Sequence, residues 1–77
     1  MSTVQVLGPG CKNCQILYER TQQAAQEIGL SCQIEKITDM ETIVGLGVLS
    51  TPALVVDGAL RLQGRVPTVE QLKEILA

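Results

Sequence analysis

The chain has 77 residues, of which 45% are hydrophobic and 18% are charged, and this size and composition predict a single small domain spanning residues 1–77. Its net charge is −2, its six basic residues are scattered, and Tyr18 is its only aromatic residue. Because nucleic-acid binding needs clustered Lys and Arg, or aromatic rings on which bases stack, we expect no nucleic-acid partner.

The first third of the chain predicts a strand followed by a helix. Residues 3–7 (TVQVL) are short and β-branched, which is typical of a strand, and Gly8-Pro9-Gly10 ends it. From Cys14 onward, apolar and small residues recur at i, i+3, i+4 spacing, which predicts a helix with one buried stripe that Gly29 terminates. The stripe comprises Leu17, Tyr18, Thr21, Ala24, Ala25 and Ile28.

The middle of the chain predicts a second strand and a short helix. Residues 31–37 (SCQIEKI) alternate well enough for a strand. Thr38 and Glu41 have the spacing of a capping box, in which each side chain satisfies a free backbone N–H of the first helical turn. The short helix that follows runs through Met40, Ile43 and Val44 and is interrupted by Gly45 and Gly47.

The last third predicts a hairpin and a closing helix. Residues 52–56 (PALVV) form a buried strand, and Asp57-Gly58 is a strong hairpin signal before the alternating segment 59–63. Thr68 and Gln71 offer a second capping box. The apolar face of the closing helix then comprises Val69, Leu72, Ile75 and Leu76.

The predicted order of elements is therefore β-α-β-α-β-β-α. The first two strands are joined through a helix, so we expect them to be parallel with a right-handed crossover, whereas the last two form an antiparallel hairpin. The predicted fold class is α/β, a four-stranded mixed sheet with helices on both faces.

The cysteine count and the N-terminal sequence favour a reducing compartment. The segment MSTVQVLGPG has no positively charged region before a long apolar core, and no run reaches the roughly 18 apolar residues of a membrane span. We therefore expect a cytoplasmic protein with no membrane partner. Structural disulfides are disfavoured there, and three cysteines fit a secreted disulfide framework poorly.

The pair Cys11 and Cys14 has the asymmetry that dithiol exchange requires. Cys11 falls at the turn into the first helix, where free backbone N–H groups and the positive end of the helix dipole favour a thiolate, and Lys12 adds a nearby cation. Cys14 begins the buried stripe one turn further on, which brings the two α-carbons close enough for a disulfide. The outer thiolate would attack a substrate disulfide, and the inner thiol would then resolve the mixed disulfide.

Three other interpretations of this pair stay open at the level of sequence. In the first, the two cysteines would be inert core residues or part of a zinc site. A closed zinc site needs four ligands, however, and the chain has no His and only Cys32 as a third thiol. In the second, the pair would hold Cu(I), and the protein would be a soft-metal chaperone. Heavy-metal-associated domains bind metal in this way, and their element order is β-α-β-β-α-β. In the third, this protein would be a regulatory partner of another protein, and its own dithiol would sense oxidation.

Two motifs together resemble the thioredoxin superfamily: a CxxC at the first strand-to-helix turn, and Thr51-Pro52 before the third strand. GPGCKNC (8–14), STPALVVDG (50–58) and GRVP (64–67) are similar to its smallest members, the minimal thioredoxin-like redox-active disulfide proteins of bacteria and archaea. The resemblance covers essentially the whole chain. It implies a thioredoxin-like fold and thiol–disulfide oxidoreductase activity with no bound cofactor.

The resemblance also assigns roles to individual residues. It makes Cys11 the nucleophile and Cys14 the resolving thiol, and it makes Pro52 a cis-proline beside the disulfide. The Thr51 backbone would pair with a bound substrate. Apart from the resemblance, we expect Gly10 and Gly64 to contribute to substrate binding, and we expect the positive charge of Lys12 beside Cys11 to activate that sulfur. The implied partners are protein or small-molecule disulfides as substrates, with a thioredoxin-reductase-like enzyme or glutathione as the reductant.

The chain departs from thioredoxin itself around the dithiol. Thioredoxin has a Trp before its first cysteine and Gly-Pro between the two, where this chain has Gly10, Lys12 and Asn13. Thioredoxin also keeps a buried Asp on the preceding strand, and this chain has no acid before Glu19. The sequence therefore does not identify the proton acceptor for Cys14, and Gln5, acting through a water, is one candidate.

Three residues near these motifs have ordinary structural interpretations as well as functional ones. We expect Cys32 to be a buried small hydrophobic residue rather than a regulatory thiol. Tyr18 is expected to pack in the core rather than act as an acid. Arg65 is a candidate for orienting an anionic partner such as glutathione, although most arginines in loops are simply solvated.

Overall fold

The computed structural model describes residues 2–77, and they form seven elements in the predicted order. The elements are β1 (Ser2–Leu7), α1 (Lys12–Glu27), β2 (Cys32–Ile37), α2 (Met40–Gly45), β3 (Ala53–Val56), β4 (Ala59–Gln63) and α3 (Val69–Leu76). The predicted order and fold class are confirmed. The order of a heavy-metal-associated domain, which ends in a strand, is not the one found.

The four strands form one mixed sheet in the order β2-β1-β3-β4. β1 and β2 are parallel, and β3 pairs antiparallel with both β1 and β4. As a result β1 and β2 end, β3 begins and β4 ends at one edge of the sheet, where Leu7 pairs with Ile37 and Ala53 and Ala53 pairs with Gln63. We call this edge, defined by Leu7, Ile37, Ala53 and Gln63, the site edge.

Each face of the sheet is covered by helices and carries its own apolar cluster. On one face α1 and α3 pack against the strands, and this larger cluster comprises Val4, Val6, Leu17, Ala24, Ala25, Leu54, Leu62, Leu72 and Leu76. On the other face Ile43 of α2 packs with Leu7, Val48, Ala53 and Val55. Alternation along β1 explains the division, because successive side chains of a strand point to opposite faces.

The stripe on α1 is shorter than predicted at its C-terminal end. Cys14, Leu17, Thr21, Ala24 and Ala25 are buried, whereas Ile28 is exposed. The prediction for Ile28 is wrong because the helix ends at Glu27 and Ile28 is its C-cap. Gly29 follows with φ +67°, and Leu30 N donates to Ala25 O at 2.9 Å, which turns the chain away from the helix axis as in a Schellman motif.

The N-cap of α2 is also one residue later than predicted. Asp39, rather than Thr38, accepts a hydrogen bond from Thr42 N, at 3.2 Å, and its carboxylate also accepts from the Thr42 hydroxyl at 2.6 Å. These bonds lower the pKa of Asp39, the side-chain bond from Thr42 being the largest cause. A carboxylate at this position satisfies a free N–H and faces the positive end of the helix dipole, which explains why it displaces the threonine.

We expect Asp39→Ala to lower the Tm by a few degrees at neutral pH and Thr38→Ala to leave it nearly unchanged. Because the pKa of Asp39 is lowered in the folded state, its contribution is present above the pKa of the unfolded chain and is lost as the pH falls through the folded value. Thermal melts of both variants between neutral and acid pH test this. Equal Tm values for Asp39→Ala and the parent at neutral pH would contradict the assignment.

The remaining turns follow the sequence. Asp57 and Gly58 have φ values of +50° and +83°, as a two-residue hairpin requires. Thr68 and Gln71 form the predicted capping box at the start of α3. Among the helices of residues 2–77, none has the length and apolar character needed to cross a membrane.

Candidate functional site

Cys11 is the N-cap residue of α1, and its sulfur takes the place of the usual capping oxygen. Cys14 N–H donates to Cys11 Sγ at 3.2 Å. No acidic residue lies in the first turn of this helix, and Lys12 is its first residue. A sulfur that accepts a backbone N–H at the positive end of a helix is held where a negative charge is stabilised.

Cys11 and Cys14 form a disulfide, and their environments differ sharply. Their α-carbons are 5.1 Å apart, within the usual range for a disulfide. Cys11 is exposed, whereas Cys14 is only 5% exposed. The sequence predicted this contrast, and it leaves one sulfur open to a reaction partner while the other is covered.

Gly8, at the end of β1, makes the closest approach to Cys14. A Cβ placed on Gly8 would lie 3.2 Å from Cys14 Cβ and 3.8 Å from Pro52 Cα, and it would overlap Cys14 Sγ outright. Gly8 N also donates to Ile37 O at 2.9 Å, which fixes this backbone against the end of β2. A residue without a side chain is therefore required for Cys14 to occupy its place.

Thr51 and Pro52 lie at the site edge, immediately before β3. The Thr51–Pro52 peptide bond is cis, Pro52 is buried and Thr51 is half-buried. Pro52 O accepts from Gly64 N at 2.9 Å, and Gly64 has φ +74°. Within residues 2–77 the backbone N–H and C=O of Thr51 make no hydrogen bond, so they are free to pair with another chain.

The segment before Thr51 is held by one side chain of β4. Gln63 Oε1 accepts from both Leu49 N, at 2.9 Å, and Ser50 N, at 3.2 Å. Leu49 itself is 91% exposed. The backbone beside the disulfide is thus anchored while a large apolar side chain projects into solvent.

A cavity of about 180 Å³ lies beside Cys14, between α1 and the ends of β1 and β2. Cys14, Val6, Lys36 and Thr38 are among the residues that line it. Val6 faces it and Gln5 does not, because alternate residues of β1 point to opposite faces of the sheet. The expectation that Gln5 serves Cys14 is therefore wrong.

The other residues singled out from the sequence have diverse positions. Gly10, with φ +94°, lines the same cavity, and Lys12 and Arg65 are exposed. Tyr18 is half-buried and packs against the larger apolar cluster, as expected. Cys32 is a free, half-buried thiol opposite Ser2, at the far edge of the sheet from the disulfide, and it packs against the same cluster.

Three contributors to the site carry little or no signal in the sequence. Gly8 is visible as part of Gly8-Pro9-Gly10, but the pattern indicates only the end of a strand. Gln63 and Lys36 act through contacts between segments that are distant in the chain, and no local motif marks them. Across residues 2–77, no group of three or more His, Cys, Asp or Glu side chains is placed to hold a metal ion.

Comparisons with known proteins agree with this geometry. The family model described as a thioredoxin domain matches residues 2–77. A thioredoxin of Methanothermobacter thermautotrophicus is 40% identical over 77 residues, covering all of both chains. The chain belongs to the thioredoxin family. A thioredoxin of Methanocaldococcus jannaschii is 34% identical over 76 residues, which is 99% of this chain and 87% of that one.

As a thioredoxin-family member, the protein is a thiol–disulfide oxidoreductase that acts on disulfide substrates. The disulfide between Cys11 and Cys14 at the start of α1 is the redox-active group that this activity requires. Its thioredoxin-like sheet brings the disulfide, the cis-proline and Gly64 to one edge.

Proposed function

We propose that Cys11 is the nucleophile and Cys14 the resolving thiol in the reduction of disulfides. The Cys11 thiolate attacks one sulfur of the substrate disulfide, forming a mixed disulfide and releasing the first substrate thiolate. The Cys14 thiolate then attacks Cys11 Sγ and releases the second. Two protons from the dithiol complete the two substrate thiols, and the two electrons leave the enzyme as its own disulfide closes.

The observation that carries this assignment is the contrast between the two sulfurs. Cys11 is exposed and accepts the Cys14 N–H at the start of α1, so its thiolate is both accessible and stabilised. Cys14 is 5% exposed, so a bulky substrate reaches Cys11 first. Lys12, which directly follows Cys11, adds positive charge on the same side.

Thr51, Pro52, Gly10 and Gly64 are proposed to contact the substrate. The free backbone groups of Thr51 suit an extended polypeptide that adds hydrogen bonds beside the disulfide. Gly64 N donates to Pro52 O, and Gly64 has no side chain that would block this approach. Gly10 leaves the entrance to Cys11 open, since no other atom lies within 4 Å of the place where its Cβ would be.

The proposed partners are disulfide-containing proteins as substrates and a thioredoxin-reductase-like enzyme or glutathione as the reductant. We propose a cytoplasmic location. The proposed location is supported by Cys32, which is a free thiol and is compatible with a compartment that keeps thiols reduced. The proposed substrates are supported by the exposed sulfur of Cys11 in the disulfide.

The test is equilibration in graded thiol–disulfide buffers, followed by alkylation and mass spectrometry of the intact protein and its peptides. We expect Cys11 and Cys14 to change together, by one disulfide per chain, and to return fully when the buffer is reversed. Cys32 is an internal control that stays alkylatable throughout. Failure of the pair to cycle reversibly would overturn the proposed function.

A further inference from the structure

We propose that Gln63 is a positioning residue for polypeptide substrates. It fixes the backbone of Leu49 and Ser50, so that Thr51 is held ready to pair with an extended chain beside the disulfide. The inference rests on the proposed function and deepens it, because it concerns which disulfides the site binds rather than how the sulfurs exchange. Gln63 acts on the substrate through this segment and takes no part in the exchange itself.

The position of Gln63 follows from the sheet. It is the last residue of β4 and pairs in register with Ala53. Ala53 belongs to the smaller apolar cluster on the α2 face, whereas Leu62 belongs to the larger cluster on the other face. Because successive side chains of a strand point to opposite faces, the Gln63 side chain lies on the α2 face. The segment that precedes Thr51 lies on that face too, since Val48 packs in the smaller cluster.

Two backbone N–H groups converge on one oxygen of this side chain. Gln63 Oε1 accepts from Leu49 N at 2.9 Å and from Ser50 N at 3.2 Å. The amide nitrogen of glutamine is a donor only, so the orientation of the Gln63 amide is determined by its two partners. The bonds join residues that are 14 and 13 positions apart in the chain. They therefore hold the segment to the sheet rather than to its own neighbours.

Thr51 lies between this anchor and a second one. On its other side, Pro52 O accepts from Gly64 N at 2.9 Å. Gly64 also packs closely against the segment, because a Cβ placed on it would lie 3.1 Å from Ser50 Cβ. Residues 63 and 64 thus fix the chain before and after Thr51. The N–H and C=O of Thr51 itself make no hydrogen bond within residues 2–77.

This arrangement lowers the conformational entropy that a polypeptide substrate must overcome when it binds. A backbone that is already ordered in its bound form loses less freedom when an extended chain adds hydrogen bonds to it. Without the Gln63 acceptor, the substrate would have to order residues 49–51 itself. A small disulfide with no peptide backbone makes no such hydrogen bonds, so its reaction gains nothing from the anchor. Gln63 therefore favours polypeptide disulfides over small ones.

Oxidation of the reduced protein by two disulfides, insulin and dithiodipyridine, tests this selectivity. Each is supplied in excess over a range of concentrations, the reaction is stopped by alkylation, and mass spectrometry measures closure of the Cys11–Cys14 disulfide. Gln63→Met nearly keeps the length of the side chain and removes the acceptor. We expect it to raise the half-saturating insulin concentration roughly three- to tenfold with an unchanged limiting rate. The rate with dithiodipyridine should not change.

Two variants serve as controls. Gln63→Glu keeps the acceptor oxygens and should retain the parent's values. Gln33→Met makes the same substitution on β2, at an exposed residue opposite Thr3 and away from the site edge, and should alter neither reaction. An unchanged half-saturating insulin concentration in Gln63→Met, an equal loss with both disulfides, or the same loss in Gln63→Glu would overturn the role of Gln63. The proposed function would then stand, because the sulfurs still exchange.

A parent protein that neither disulfide oxidises at Cys11 and Cys14 would instead overturn the proposed function. Amide hydrogen exchange provides a test that needs no variant of Gln63. The amide protons of Leu49 and Ser50 should exchange slowly in the free protein. That of Thr51 should exchange rapidly and become protected only when the Cys14→Ser variant carries a cysteine-containing peptide as a mixed disulfide. Rapid exchange at residues 49 and 50 in the free protein would overturn the proposal.

Discussion

Replacing Cys11 by serine is expected to reduce the rate of disulfide reduction by at least roughly a thousandfold, because a hydroxyl is not ionised at neutral pH and cannot serve as the nucleophile. Serine is also a good N-cap residue, so α1 should be preserved and the loss should be chemical rather than structural. Turnover with insulin as the disulfide substrate, together with a thermal melt, measures both quantities.

Cys14→Ser is the matched variant, and the two together distinguish the roles of the sulfurs. With Cys11 intact and no resolving thiol, the first attack should proceed and the mixed disulfide should accumulate as a stable adduct that mass spectrometry detects. Turnover should stop after that single event. If the adduct instead forms on Cys14 in the Cys11→Ser variant and fails to form on Cys11 in the Cys14→Ser variant, the assignment is reversed.

Gly8→Ala is expected to disfavour the oxidised protein. The new methyl group would overlap Cys14 Sγ. In the oxidised protein the disulfide fixes this sulfur in place, whereas in the reduced protein the Cys14 side chain can rotate away from the methyl group. We expect the equilibrium constant for closing the disulfide to fall roughly tenfold or more, which corresponds to about 30 mV in reduction potential. The oxidised form should also lose about 1–3 kcal/mol of stability through overpacking.

Two controls show whether the contact with the sulfur is responsible. Gly45→Ala adds the same methyl group at the end of α2, where no atom lies within 4 Å, and should be neutral or slightly stabilising. Combining Gly8→Ala with Cys14→Ala removes the clashing sulfur, so the cost of the alanine at residue 8 should largely disappear in that background. An equal cost in both backgrounds would contradict the steric explanation.

The fold was predictable because each element carries a local signal that agrees with the global arrangement. The stripe from Cys14 to Ala25, the Asp57-Gly58 turn and the capping box of Thr68 each depend on neighbouring residues only. The two errors, at Ile28 and Thr38, both concern helix ends. There the choice between adjacent residues depends on which one has the better capping geometry, and spacing alone does not determine this.

The site was predictable only in part, for a related reason. Cys11, Cys14 and Pro52 stand in recognisable motifs, whereas Gly8, Lys36 and Gln63 matter because of what the sheet places beside them. Gln5 illustrates the same limit. Its distance along the chain from Cys14 is suitable for a proton acceptor, but the pleat of β1 directs its side chain to the face of the sheet opposite Cys14. Contacts across strands are set by register, which a single sequence does not specify at the level of one residue.

The anchoring of Leu49 and Ser50 by Gln63 fixes the backbone beside the disulfide without using the Leu49 side chain. The Gln63 side chain holds the backbone of this segment, and the side chain at residue 49 extends into solvent without supporting the core. Residue 49 is therefore expected to accept other side chains without loss of core packing, so the surface beside the disulfide can vary while the fold that holds the sulfurs stays the same.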